Sequence, residues 1–182
     1  MSKVKMAISA QKKQHSFVIT EIITAIKWED HQSVRISESK QRSSYIIELI
    51  SGNKLVGNIG VFIKVCSSRR SPWRYTFTKS HQNEIKRLSE NMDATFIAFV
   101  NYNDGVAIIE YQRFKQLLDD HFEEVEWVSV SRELNEQYTL NGNDGKLKGK
   151  IAPRHFPKIV VDSATKIWEK KVSLIDRVAN FF

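Results

Sequence analysis

The stretch Ser67-Ser-Arg-Arg-Ser-Pro-Trp-Arg-Tyr75 holds the residue types best suited to grip an anion. Arg69, Arg70 and Arg74 carry guanidinium forks that bind phosphate bidentately, the serines add hydroxyl donors, and Trp73 and Tyr75 offer rings on which an unpaired base can stack. The same spacing fits a strand with Trp73, Tyr75 and Phe77 facing a core and Arg74 and Thr76 facing water. That alternation removes the aromatics from binding and leaves the three arginines free for phosphates. Other chemistries lack their residues. His15, His31, His81, His121 and His155 form no H-x-x-x-H spacing, and the lone cysteine, Cys66, forms no C-x-x-C, which speaks against structural zinc. Arg69 and Arg70 favour a Cys66 thiolate, but with no Cys/His pairing motif beside it Cys66 reads as a half-buried, inert thiol. P-loop, G-x-G-x-x-G and G-x-S-x-G motifs are absent, so nucleotide hydrolysis, dinucleotide binding and α/β-hydrolase chemistry have no support.

The charge pattern points the same way. The 182 residues carry 28 Lys and Arg against 21 Asp and Glu, a formal charge of +7. The surplus falls in three blocks: Lys3, Lys5, Lys12 and Lys13; then Lys64, Arg69, Arg70, Arg74 and Lys79; then Lys146, Lys148, Lys150, Arg154 and Lys158. Between the last two lies an acidic segment with Asp119, Asp120, Glu123, Glu124, Glu126, Glu133 and Glu136. Each block alone reads as an ordinary solvated face, whereas three together point to contact with DNA or RNA. A single cysteine rules out an intrachain disulfide and suits a reducing, cytoplasmic compartment. The longest apolar runs, such as Thr95–Val100, are far short of the ~20 residues of a membrane span, and the basic start lacks the apolar stretch of a signal peptide.

These residues must be held by a mixed set of elements. Ser16 is the expected cap of a helix to about Trp28, with Val18, Ile19, Ile22, Ile23 and Ile26 on one side and Glu21 at the border of the faces. Residues 1–15 then form a basic arm. Extended pieces follow at Ser33–Ser37, Ser44–Ile50 and Leu55–Val65, the last two joined by a turn at Ser51-Gly-Asn-Lys54. Gly57 and Gly60 within the third signal a bulge or a close backbone approach. Trp73–Thr78 alternates as a half-buried strand, Ser80 caps a helix to about Asn91, Thr95–Tyr102 is a buried strand, and Asn103-Asp-Gly105 turns it into Val106–Tyr111. Phe114, Leu117, Leu118 and Phe122 make a short amphipathic helix. Glu126–Ser131 and Gln137–Leu140 read as strands, Lys146–Ile151 as a basic return strand, Ala152–Lys158 as a connector, and Asp162 or Ser163 as the cap of a last helix ending in Phe181-Phe182. That helix is the candidate surface for a homodimer or a protein partner, with docking on its own domain as the default.

The first two thirds therefore have the core order α-β-β-β-α-β, a mixed α/β (α+β) class with a central sheet flanked by helices. This order, with Tyr45-Ile-Ile-Glu-Leu49, Gly60-Val-Phe-Ile-Lys-Val65 and Phe96–Val106, resembles the PD-(D/E)XK superfamily, the restriction-endonuclease-like fold, over roughly residues 16–122. Residues 123–182 then extend the same domain with a β-hairpin and a C-terminal helix. The resemblance implies a nuclease site. An acid on the second strand and an (Asp/Glu)-x-Lys on the third hold one or two Mg2+ ions, and the lysine offsets charge on the scissile phosphate. Glu48 matches the first acid, Lys64 the lysine, and Glu21 a helix carboxylate that adds a metal contact. The acid two residues before the lysine is replaced by Phe62, and Ile59, Gly60, Val61 and Ile63 supply no substitute. The expectation is a nucleic-acid-binding protein degenerate in catalysis. It would contact phosphates through Lys64, Arg69, Arg70, Arg74, Lys146, Lys148 and Lys150. An active Mg2+-dependent nuclease and a protein-binding subunit or inhibitor are the alternatives. A further reading has Lys64 facing solvent and Glu48 pairing with it across the hairpin.

Overall fold

The computed structural model describes residues 9–29, 32–39 and 42–179, and side chains as far as Ser173. Helix α1 spans Ala10–Ala25 and is capped by Ser9, whose side chain accepts from the Lys12 amide at 3.2 Å. Ser16 is not the cap. Its hydroxyl donates back to the Lys12 carbonyl at 2.9 Å from inside the helix. Lys12 and Lys13 thus ride on a helix rather than a free arm, while Lys3 and Lys5 lie outside the described residues.

Strands β1 (Gln32–Glu38), β2 (Ser44–Ser51) and β3 (Lys54–Cys66) form an antiparallel meander. Strand β4 (Trp73–Thr78) and helix α2 (Lys79–Asn91) then carry the chain to β5 (Ala94–Asn101), which lies parallel to β3. Such a parallel neighbour requires a crossover of about this length. Strand β6 (Val106–Glu110) returns antiparallel and completes a five-stranded sheet in the order β1-β2-β3-β5-β6. Strand β4 does not join it. It pairs with β7 (Val125–Ser131), which pairs with β8 (Thr139–Gly142), in a second sheet of three antiparallel strands. The class is mixed α+β, as the sequence implies, and the order α-β-β-β-α-β describes the main sheet with β4 set apart from it.

The centre of the main sheet is buried on both faces, so β3 reads as an almost unbroken apolar run, while the edge strand β1 is largely exposed. Ile59, Val61 and Ile63 face α1 and helix α4 (Lys158–Ala179), where Val18, Ile22, Val160 and Ala164 cover them. Phe62 faces the other way, into a core shared with α2 and the second sheet through Tyr75, Phe77, Leu88 and Val128. Gly57 and Gly60 make the close approaches that their position implied. A Cβ on Gly57 would strike Ile167 of α4, and one on Gly60 would meet Met92 and Leu88 at 3.1 and 3.2 Å.

The C-terminal third departs most from expectation. The helix around residues 114–122 shrinks to one turn, α3 (Tyr111–Phe114), although Leu117 and Leu118 stay buried. The expected strand Lys146–Ile151 is replaced by two isolated bridges, Tyr138 with Ile151 and Asn141 with Lys146. Helix α4 starts at Lys158, directly after Pro157, and Asp162 is no cap but an ion-pair partner of Lys158 at 2.6 Å. Phe181 and Phe182 lie outside the described residues. Among the described residues no helix is long and apolar enough to cross a membrane.

Candidate functional site

Lys64 lies near the C-terminal end of β3, two residues from the end of the strand and paired with Phe99 of β5. Period-two alternation sends its side chain to the Phe62 face, where Nζ sits 5.3 Å from the centroid of the Phe77 ring. Burial pushes this amine down to about 8. No carboxylate among the described residues pairs with it. Lys64 opens onto a cavity of about 340 Å3 that it lines together with Gln14 of α1, Ser43, Ser67, Tyr102 and His81 of α2.

His81 has a fixed role in this wall. The Thr78 amide donates to its Nδ1 at 3.1 Å while the Thr78 hydroxyl accepts from the His81 amide at 3.4 Å, a reciprocal cap with histidine where glutamate is usual. Because Nδ1 accepts, the neutral ring carries its proton on Nε2, on the side away from Thr78. Burial first, and then the Lys64 charge, lower the His81 pKa and favour this neutral form. Phe62 and Phe77 pack edge-on against the ring. Ser43 is held by its carbonyl, which accepts from the Ile63 amide at 2.7 Å. Gln14 presents a buried Oε1 without a partner among the described residues, and Tyr102 in the cavity lining takes a left-handed φ of 48°.

The three residues of the implied metal site do not come together. Glu48 lies opposite Asn58, six positions before Lys64 along β3, a separation of about 20 Å at the usual strand rise. Its carboxylate is taken by Arg35, its direct neighbour on β1, whose hydrogen bond holds the Glu48 pKa below the ordinary value. The pairing of Glu48 with Lys64 across the hairpin does not form. Glu21 belongs to α1, which packs on the opposite face of the sheet. Phe62 is wholly buried. Facing it on β2 is Ser44, whose hydroxyl donates at 2.6 Å to Glu84 of α2. Arg87 grips the same carboxylate with two hydrogen bonds of 2.9 Å and leads the groups that lower its pKa. Glu84 is thus fully engaged. No group of three His, Cys, Asp or Glu able to hold a metal exists among the described residues. The residues around Lys64 therefore do not fit Mg2+ as the resemblance would place it.

The basic residues divide as well. Arg69 and Arg70 occupy the exposed loop that leaves β3 directly after Ser67, braced where Trp73 Nε1 donates to the Ser68 carbonyl at 3.0 Å. Arg74 lies elsewhere, on the outer face of the second sheet, stacked 4.4 Å over the Trp127 ring. Trp73, Tyr75 and Phe77 are core residues, as their alternation implied. Lys146 and Lys148 are exposed after β8, and Lys150 is paired with Glu136 at 2.5 Å. The acidic segment is not one surface either. Asp120 pairs with Lys115, and Glu126 is 1% exposed beside β4. Burial pushes the Glu126 carboxyl up to about 6, the Gln82 amide opposing this and the Asp144 carboxylate adding to it.

The sequence missed His81 and Glu84 as members of this end of the sheet. The available signal was a histidine and a glutamate one turn apart, on the same stripe of α2 as Ile85 and Leu88. No family model, no curated protein and no solved structure matches the chain.

Proposed function

We propose that this chain is a nucleic-acid-binding protein built on a restriction-endonuclease-like core that holds phosphate at Lys64 without cutting. Support for the core comes from the antiparallel meander β1-β2-β3, the crossover through α2 and the parallel pairing of β5 with β3. One observation carries the binding role. Lys64 is a half-buried amine with no carboxylate partner among the described residues, and it opens on a cavity lined also by a histidine, hydroxyl side chains and an amide. An ammonium drawn partly out of water with only an aromatic ring beside it is unfavourable, and an anion is the partner that offsets this. Arg69 and Arg70, on the adjoining loop, suit neighbouring phosphates. A cytoplasmic setting, where a lone thiol such as Cys66 stays reduced, belongs to the proposal.

Filter binding of labelled DNA and RNA across a salt series tests it. Affinity should fall steeply with salt and drop about tenfold in Lys64→Ala. Retention at low salt no better than that of a neutral control protein ends the proposal. Incubation with plasmid and RNA in Mg2+ or Mn2+ should give no cleavage that a chelator abolishes. Cleavage of that kind, lost in Lys64→Ala and Glu48→Gln, would favour the active-nuclease alternative instead.

A further inference from the structure

We infer that the Lys64 cavity takes a terminal phosphate, the phosphomonoester at the end of a nucleic-acid strand, in preference to an internal phosphodiester. The inference rests on the reading of this site as a phosphate site and says which phosphate it is.

The first argument is the charge and hydrogen-bond inventory of the wall. Lys64 Nζ and His81 Nε2–H are obligatory donors here, and Ser43, Ser67 and Tyr102 add hydroxyls that turn to suit a ligand. No acid among the described residues lines the space. A monoester carries about −1.5 to −2 charge at neutral pH and three strong acceptor oxygens. An internal diester has one charge and only two free oxygens, so it leaves donors unmatched. Gln14 fits the same account. Its buried Oε1 has no partner among the described residues, and a half-turn of the amide puts an NH2 group in that place without changing the shape of the side chain.

The second argument is the path outward. The cavity is lined by Gln11 and Gln14 of α1, by the end of β3, by Tyr102 and, through His81, by the first turn of α2. The loop carrying Arg69 and Arg70 leaves from Ser67 in the cavity wall, so one arm of nucleic acid has a basic path outward.

The titration of Lys64 supplies a readout. Burial lowers the amine to about 8, so its charge is lost as pH rises through that value, while a monoester keeps both charges there. Any advantage that the terminal phosphate owes to Lys64 must therefore fade above pH 8 rather than above the usual lysine range.

The experiment uses the full chain and one oligonucleotide sequence in three forms: 5′-phosphorylated, 3′-phosphorylated, and with hydroxyls at both ends. Anisotropy titrations at fixed low salt should show one phosphorylated form binding at least tenfold tighter than the hydroxyl-ended form at pH 7. The advantage should disappear in Lys64→Met and shrink between pH 7 and pH 9 in the wild type. Inorganic phosphate or a mononucleotide should compete only at far higher concentration, since neither reaches the Arg69–Arg70 path; competition at equal concentration would overturn the strand-end assignment in favour of a free phosphate. Equal affinity of all three forms in the wild type overturns the inference but leaves Lys64-dependent phosphate binding standing. Binding of no form overturns both. The wild-type comparison requires no variant, so a misfolded Lys64→Met protein would not blunt it.

Discussion

At the N-terminal end of β3, Asn58 and Asp93 are joined by three hydrogen bonds. Asp93 accepts from the Asn58 amide at 2.9 Å, and the Asp93 amide donates to both oxygens of Asn58, at 2.9 and 3.0 Å. Lys171 of α4 pairs with Asp93 at 2.6 Å, and Arg35 holds Glu48. At the C-terminal end, Lys64 points into a cavity with no carboxylate partner among the described residues, and His81 turns Nε2–H away from Thr78. At one end amide, carboxylate, lysine and arginine groups from several elements meet; at the other, lysine, amide and hydroxyl groups line an open space. In the first they satisfy each other and bind α4 to the sheet and β1 to β2; in the second no carboxylate among the described residues answers the lysine. A charge that has its partner within the fold is read as structure, and a desolvated charge without one is read as a site.

This contrast can be broken in several ways. Gly57→Ala drives a methyl into Ile167 and should lower stability by about 1–3 kcal/mol in chemical denaturation, with binding of nucleic acid unchanged. Asp93→Ala strands the Asn58 amide and Lys171 and should cost about 1–2 kcal/mol, again without effect on binding. Lys64→Met should do the reverse. Affinity should fall about tenfold, or about 1.4 kcal/mol, while the melting temperature holds or rises because a desolvated charge is gone. A marked loss of stability in Lys64→Met would mean that the two ends are alike.

The pH dependence sharpens the same point. The folded Lys64 pKa, about 8, lies below the ordinary lysine value of 10.5, so between these values the unfolded chain binds more protons. Stability of the wild type relative to Lys64→Met should therefore rise from pH 8 to pH 10.5, and thermal melts of the two proteins across that window would show it. A flat difference would place Lys64 in water. Glu48→Gln gives the smallest effect. An exposed cross-strand pair contributes little, so stability should change by less than about 0.5 kcal/mol and binding not at all. A tenfold loss of binding in Glu48→Gln would instead bring Glu48 into the Lys64 site and revive the metal reading.

The strands of both sheets were legible where each is a local pattern. The alternation of Trp73–Thr78, the Asn103-Asp-Gly105 turn and the apolar run of β3 specify themselves within a few residues. The site was less legible because its members meet through register. Glu48 and Lys64 occupy matching motif positions, but the antiparallel pairing sets Glu48 against Asn58, and that offset of several residues is invisible in a linear reading. Nor does spacing reveal that α1 crosses the opposite face and takes Glu21 with it, while its first turns bring Gln14 round to Lys64. The C-terminal third failed for another reason. Residues 143–152 are held by single bridges and side-chain contacts, such as the Lys148 amide donating to Gln116 Oε1 at 3.1 Å, and these have no periodic signature.

The displacement of β4 from the main sheet sets a timetable for synthesis. The meander β1-β2-β3 is complete once Cys66 has emerged, since each strand pairs with the next. Strand β4 has its partner in β7, where Phe77 meets Glu126, about fifty residues downstream and so roughly 3–10 s later at ribosomal speed. Through that interval Trp73, Tyr75 and Phe77 present an aromatic edge with no strand beside it, ahead of the segment that will cover them. The nascent chain is thus most vulnerable to clumping after α2 has been made and before β7 has, and a holdase that shields this edge on the translating ribosome should raise the yield of folded protein.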